Sequence, residues 1–252
     1  MLGEHIQEMR ALEDEYWWFV ARRRLALRLL DDAGLTSPVI LDGGCGAGAL
    51  LAELASRGRA YGADISASAV QTTRERGLGG LVQCDIQHAA FRAGSFDAVV
   101  LCDVLEHVED DRGAVAEAAR LLRPNGVLVI TLPALGLLWS SHDEALGHQR
   151  RYGKRGAREL VESAGLTVER LSFGLAVLFP LALIVRALQR LTTRLRRRPP
   201  ETGIIRVPAR VNRALVALMD LENAVIRRAN LPIGVSLALV ARKPGDDVRR
   251  EG

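Results

Sequence analysis

Val39-Ile40-Leu41-Asp42-Gly43-Gly44-Cys45-Gly46-Ala47-Gly48 is the stretch on which the fold turns. Three apolar residues run into a carboxylate and then into a loop dense with glycine. Glycine reaches backbone dihedrals closed to other residues and lets the chain approach a ligand closely. In open α/β sheets ligands lie beyond the carboxyl ends of the strands, where the chain turns into the next helix. A buried strand that breaks into such a loop therefore marks both a fold and a binding site.

Outward from this loop the pattern repeats. Leu50 to Arg57 reads as helix, Arg59 to Asp64 as strand, Ala67 to Arg76 as helix and Leu81 to Cys84 as strand. Phe96 to Leu101 is an apolar strand, and Asp111 to Leu122 an Ala-rich helix stopped by a turn at Pro124-Asn125-Gly126. Val127 to Thr131, Thr167 to Phe173 and Val235 to Arg242 supply further strands, with Gly156 to Ala164 a helix. Upstream, residues 9 to 33 read as one helix ended by Gly34. Strands alternating with helices predict a Rossmann-like α/β fold: a seven-stranded, mainly parallel sheet with helices on both faces and an antiparallel last strand. Three parts are expected. Residues 1–35 form an N-terminal helical lid, 36–175 with 231–244 the main domain, and 176–230 a helical insertion between strands six and seven.

The glycines alone leave two ligands open. Gly44, Gly46 and Ala49 also satisfy the G-x-G-x-x-G/A pattern of dinucleotide sites, and Asp64 ends the next strand where either ligand needs a carboxylate on its ribose. Asp42 tips the balance. A carboxylate at the mouth of the loop repels a diphosphate, whereas it attracts a ligand carrying a sulfonium and an ammonium.

The loop resembles motif I of the class I S-adenosylmethionine-dependent methyltransferases, and the likeness continues in order. Tyr61-Gly62-Ala63-Asp64-Ile65-Ser66 resembles the second motif and Gln83-Cys84-Asp85-Ile86 the third. Phe96-Asp97-Ala98-Val99-Val100 with Asp103-Val104-Leu105-Glu106-His107-Val108 resembles the fourth strand and its loop. Leu122-Arg123-Pro124-Asn125-Gly126-Val127-Leu128 resembles the turn into strand five. The resemblance spans residues 36 to 133 and implies S-adenosylmethionine as cofactor. It assigns Asp42, Gly43, Gly44, Gly46, Gly48, Ile65 and Asp103 to the cofactor site, with Asp64 on the ribose and Asp85 and Ile86 flanking the adenine. Gly43 departs from the family, which has a larger apolar residue there, and is expected to loosen the turn. Glu15-Tyr16-Trp17-Trp18-Phe19 with Arg22-Arg23, and Trp139-Ser140-Ser141-His142-Asp143 leading to His148-Gln149-Arg150-Arg151-Tyr152, resemble a bacterial group of type 11/12-like methyltransferases linked to polysaccharide and glycolipid assembly. There Arg22 is a candidate for the cofactor's carboxylate.

Methyl transfer to a hydroxyl gains from a general base, and histidine serves near neutral pH. His148 and His142 follow strand five, on the ligand side of the sheet, and are the candidate catalytic residues; His148 is preferred because Arg151 and Tyr152 adjoin it. Trp17, Arg151 and Tyr152 are the candidate substrate contacts, the arginine for its fork of donors matched to an anion.

The rest of the chain bears on partners. Hydrophobic residues make up 48% and net charge is +4, ordinary for a globular enzyme, with no zinc-finger or RNA-binding motif to suggest nucleic acid. Cys45, Cys84 and Cys102 form no CxxC pair, so neither a metal cluster nor a disulfide framework is expected. No secretory leader is expected in Met1 to Met9, which fits a cytoplasmic protein. Arg186, Arg190, Arg194 and Arg198 recur every four residues as a helical stripe behind the uncharged run Leu171 to Val185, too short for a membrane span and suited to an interfacial segment. The expected reading is O-methylation of a small-molecule, glycosylated or lipid-linked acceptor, with peripheral contact to the inner face of an anionic membrane. A nicotinamide-dependent oxidoreductase and a non-catalytic cofactor-binding scaffold are the alternatives.

Overall fold

The computed structural model describes residues 10–196 and 207–245, with side chains as far as 188 in the first segment. After a helical turn at 10–15, the chain runs α1 (Trp17–Asp32), β1 (Val39–Gly43), α2 (Ala49–Leu54), β2 (Arg59–Asp64), α3 (Ala67–Glu75), β3 (Leu81–Gln83) and β4 (Phe96–Cys102). It continues α4 (Asp111–Leu121), β5 (Leu122–Pro133), α5 (Ser141–Ala145), α6 (Lys154–Glu162), β6 (Thr167–Gly174), α7 (Phe179–Arg196), α8 (Ala209–Ile226) and β7 (Ser236–Arg242). The strands form one seven-stranded sheet in the order β3-β2-β1-β4-β5-β7-β6. The first five are parallel, and β7 runs antiparallel between β5 and β6, as the sequence predicts.

Side chains alternate across the sheet, and each face has its own core. Leu41, Val99, Leu101, Leu128 and Ile130 meet Val115 and Leu121 of α4 and Leu160 of α6. Ile40, Ala98, Val100, Val127 and Val129 meet Leu25, Ala26, Leu29 and Leu30 of α1 and Ile226 of α8. Both faces are covered, which is why the strands read as continuous apolar runs.

The expected lid at 1–35 is corrected in its second half. Leu25 to Leu30 of α1 are buried against the sheet, so this helix is a wall of the domain. The expected single helix from 9 to 33 breaks at Tyr16, which is extended (φ −75°, ψ 126°) and offers no side-chain cap. Asn212 of α8 bridges the break: its Oδ1 accepts from Trp17 N (2.9 Å) and its Nδ2 donates to Glu15 O (2.7 Å). The insertion is tied to the wall too, through Arg28–Asp220, Arg227–Asp32 and Asn223 Nδ2 donating to Ala21 O. The turn expected at Pro124-Asn125-Gly126 lies inside β5 as an irregularity, with Asn125 at φ +64° and the register against β4 shifting between Phe96 and Ala98. Asn125 N donates to Lys243 O, so the bend is absorbed by pairing.

Candidate active site

The glycine loop leaves β1 with Gly44, Gly46 and Gly48 all at positive φ. A Cβ on Gly44 would lie 2.5 Å from Val104 Cγ2, so the glycine is required twice over. Gly44 N and Cys45 N both donate to Ala63 O (2.7 and 3.0 Å), stitching the loop to β2. At Gly43 the space of the missing side chain is filled by Leu101 and Ile86, each within 3 Å of where a Cβ would stand. The expectation that Gly43 loosens the turn is therefore corrected: its neighbours close in. The same packing buries Ile86, so its side chain is core and not a wall of an adenine pocket.

Asp64, at the end of β2, accepts Gly46 N (3.0 Å) and Ser66 N (2.8 Å), fixing loop and carboxylate together. Ile65 beside it is 68% exposed, an apolar surface with no protein partner to cover it. Asp85 caps the turn after β3, accepting Gln87 N at 2.9 Å.

Asp42 is the telling residue. It is 1% exposed, and its Oδ2 has no hydrogen-bond partner. Burial, then the neighbouring carboxylates of Glu13 and Asp64, push its acid well above the usual range. A buried carboxylate without a donor is costly, and a cationic ligand end removes the cost. S-adenosylmethionine fits this on charge and a dinucleotide diphosphate does not.

Glu13 was not visible as a site residue. Its buried carboxylate accepts Ala47 N (3.4 Å) and Ala49 N (3.2 Å), closing the outer side of the glycine loop. No local motif signals it, because its partners lie in a different element. Arg22, expected to meet a cofactor carboxylate, pairs with Asp103 and lies over the Trp18 ring at 5.4 Å. Asp103 follows β4 with φ +53°, a conformation that costs a non-glycine residue of order 1–3 kcal/mol and persists where surroundings impose it. Thr131 Oγ1 donates to its other oxygen (3.2 Å).

The acceptor side is organised by a residue that sequence reasoning did not select. Asp143 is fully buried. It accepts Ser140 N (2.9 Å), Arg151 Nε (2.8 Å) and His148 Nδ1 (2.9 Å). Burial opposes its ionisation, but the hydrogen bonds from His148 and Arg151 outweigh it and hold its carboxyl well below the usual range. An ionised Asp143 requires His148 Nδ1 to donate; in the neutral ring the lone pair then lies on Nε2. The His148 ring meets that of His107 edge-on at 4.8 Å. Glu106, 1% exposed with Oε2 unpartnered, stands with them; burial raises its acid to about 7.

Two expected substrate contacts are corrected. Arg151 is spent on Asp143 and on Ala134 O (3.0 Å), with 4% of its side chain exposed. Tyr152 is buried, its hydroxyl bonded to Leu105 O and Asp111. Both build the loop and present nothing to a ligand. Trp17 packs with Trp18, Leu178, Phe179 and Met219 in an apolar cluster that joins α1 to α7 and α8. His142 is the second residue of α5, where its backbone N–H is capped by Ser140 Oγ; it is not among the residues grouped around His148.

Comparison with known proteins agrees with this geometry. Residues 41–130 match the family model described as a methyltransferase domain. A ubiquinone biosynthesis O-methyltransferase from Xanthomonas oryzae pv. oryzae is 38% identical over 99 residues, 36% of this chain and 41% of that protein; the match spans about two fifths of that curated relative. Among solved structures, a complex between a Haloferax volcanii methyltransferase activator and a methyltransferase superposes with a TM-score of 0.63 at 18% identity, over 96% of this chain and 95% of the other. A Haemonchus contortus phosphoethanolamine N-methyltransferase 2, bound to phosphomonomethylethanolamine and S-adenosylhomocysteine, gives 0.56 at 22% identity over 87% of this chain and 52% of the other. These structures carry the fold, and the family match covers the glycine loop, Asp64 and the Asp103–His107 loop. Residues 41–130 are thus similar to a methyltransferase domain, and the chain shares its fold with solved methyltransferases.

Proposed function

We propose that the protein transfers the methyl group of S-adenosylmethionine to an oxygen of a small-molecule acceptor. The observation that carries this reading is the buried, unpartnered carboxylate of Asp42 at the glycine loop. When bound, the cofactor supplies an electrophilic methyl on a sulfonium. Asp42 would hold the cationic end and Asp64 the ribose hydroxyls, with Ile65 and Asp85 on the adenine side. In-line displacement rewards positioning above all, and the loop stitched to β2 is a rigid support for it. His148, oriented through Nδ1 by Asp143, activates the acceptor hydroxyl through Nε2. The O-methyltransferase among the relatives supports oxygen as the acceptor atom.

Calorimetry with S-adenosylmethionine, its demethylated product and NAD tests the cofactor, and labelled-methyl transfer into hydroxyl-bearing acceptor pools tests the reaction. Binding of S-adenosylmethionine with transfer to oxygen is the expected result. NAD binding in its place returns the dinucleotide reading, and cofactor binding without transfer to any pool returns the scaffold.

A lipid-linked acceptor and a peripheral position on the cytoplasmic face of an anionic membrane belong to the same proposal. The observation behind them is the start of α7, where Leu181, Leu183, Ile184 and Leu188 are all 41–59% exposed. No helix among the described residues is long and apolar enough to cross a membrane, which suits contact from the surface. Arg186 is not part of the outward stripe: it is half-buried, and its charged neighbours are Arg151 and Asp143. The side chains of Arg190 and Arg194, and Arg198 as a whole, lie outside the described residues.

A further inference from the structure

Glu106, His107 and His148 each offer one ligand atom, and these atoms all lie within 4.8 Å of one another. Glu106 and His107 come from the loop after β4, His148 from the loop after β5, and both loops open at the end of the sheet that holds the glycine loop. We propose that these three side chains bind one divalent transition-metal ion on the acceptor side of the site. The inference deepens the methyl-transfer reading and rests on it for its use, not for its geometry.

Three observations point to an ion. The first is the bare Oε2 of Glu106 in a residue 1% exposed. Arg22 and Arg151 are its positive neighbours, but neither hydrogen-bonds this oxygen, and Arg151 is held by Asp143. The second is the anchoring of the His148 imidazole from behind. His148 Nδ1 is held by the Asp143 carboxylate at 2.9 Å, and the His107 ring meets His148 edge-on at 4.8 Å. Metal-bound histidines show this arrangement, one ring nitrogen held by a carboxylate or carbonyl and the other on the metal. The third is the composition of the set. Two imidazoles and one carboxylate select zinc, iron, cobalt or manganese; magnesium and calcium favour oxygen ligands throughout.

Three protein ligands leave a coordination position open for a hydroxyl oxygen of the acceptor. An ion there lowers the hydroxyl's pKa, as it does for bound water. The hydroxyl proton then leaves to solvent, the oxygen pair takes the methyl carbon, and the bond to sulfur breaks to give a neutral thioether. Activation through His148 thus becomes activation through an ion that His148 holds.

The test uses the untagged full chain after chelator treatment and dialysis, titrated with Co²⁺ and with Zn²⁺. Expected are one equivalent bound, intense ligand-field absorption from Co²⁺, and no comparable binding of Mg²⁺. Glu106→Gln and His148→Asn lose the bound equivalent and the Co²⁺ bands, whereas His88→Asn, remote from the cluster, keeps both. Asp143→Asn weakens the metal about 10–100-fold, the effect of removing a partner behind a ligand histidine. Circular dichroism of each variant separates loss of metal from loss of fold. If a variant fails to fold, the wild-type Co²⁺ spectrum still decides, because absence of ligand-field bands at saturation overturns the site. Retention of the bound ion in folded Glu106→Gln and His148→Asn overturns it equally. Calorimetry with S-adenosylmethionine on the same samples keeps the two readings apart. Cofactor binding without metal rejects only the ion, and metal binding without cofactor rejects only the methyl-transfer reading.

Discussion

At the scale of the residue, Asp42 sets function against stability. Its acid is raised by burial and by Glu13 and Asp64, so the folded, ligand-free protein holds the proton more tightly than the unfolded chain. That contribution to stability is fully present below the unfolded pKa and is lost as pH rises through the folded one. Asp42→Asn is therefore expected to raise the Tm of the free protein at neutral and higher pH, with a smaller gain in acid. The same variant is expected to bind S-adenosylmethionine more weakly. Melting curves across pH with and without cofactor check both, and a variant less stable at neutral pH than wild type contradicts the assignment. Asp64→Asn is expected to weaken cofactor binding by roughly 1.5–3 kcal/mol, the range for a hydrogen bond to a charged group, as read by calorimetry. His148→Ala is expected to lower turnover about a hundredfold or more while leaving cofactor affinity near wild type, which single-turnover methyl transfer measures. Asp42 and Asp64 were legible because a strand, a glycine loop and a downstream acid sit in one short stretch. Asp143, Glu106 and Glu13 were not singled out, because each acquires its meaning from partners that only the folded chain brings alongside. Arg151 and Tyr152 misled for the same reason: their donors are consumed by Asp143, Ala134, Leu105 and Asp111.

At the scale of the element, the strands, the antiparallel last one and the helices from Ala67 and Asp111 were legible, and the break in the first helix was not. Strand runs such as Phe96–Cys102 announce themselves because both sheet faces are buried. The break at Tyr16 has no local signal, since the cap of α1 comes from Asn212 on α8. Asn212→Ala is expected to cost about 1 kcal/mol, typical for loss of an N-cap, because Trp17 N and Glu15 O lose their partner together. Chemical denaturation checks this, and a change below about 0.3 kcal/mol shows that water replaces the side chain without penalty. The same contact ties α8 to the helical turn at 10–15 that carries Glu13, so the variant is also expected to loosen cofactor binding modestly.

At the scale of the whole molecule, the α1 wall, the cluster of Trp17 and Trp18 with Phe179 and Met219, and the start of α7 connect the cofactor end of the sheet to an exposed apolar surface. Leu181, Leu183, Ile184 and Leu188 present that surface, and Arg190, Arg194 and Arg198 follow in the sequence at helical spacing. A basic residue near an anionic bilayer contributes about 1 kcal/mol, screened by salt, so three of them are expected to shift binding by roughly a hundredfold. The protein is expected to sediment with anionic liposomes at low salt, to release at high salt and to ignore neutral vesicles. Arg190, Arg194 and Arg198 changed together to Gln abolish the effect, as do Leu181→Gln with Ile184→Gln, while cofactor affinity stays unchanged. Arg186 separates the two duties of this helix. Because it turns toward Arg151 and Asp143, Arg186→Gln is expected to leave sedimentation largely intact and to raise the KM for an anionic acceptor. Sedimentation indifferent to lipid charge, or unaffected by the leucine and isoleucine changes, removes the membrane from the proposal and leaves α7 as a wall for a soluble substrate.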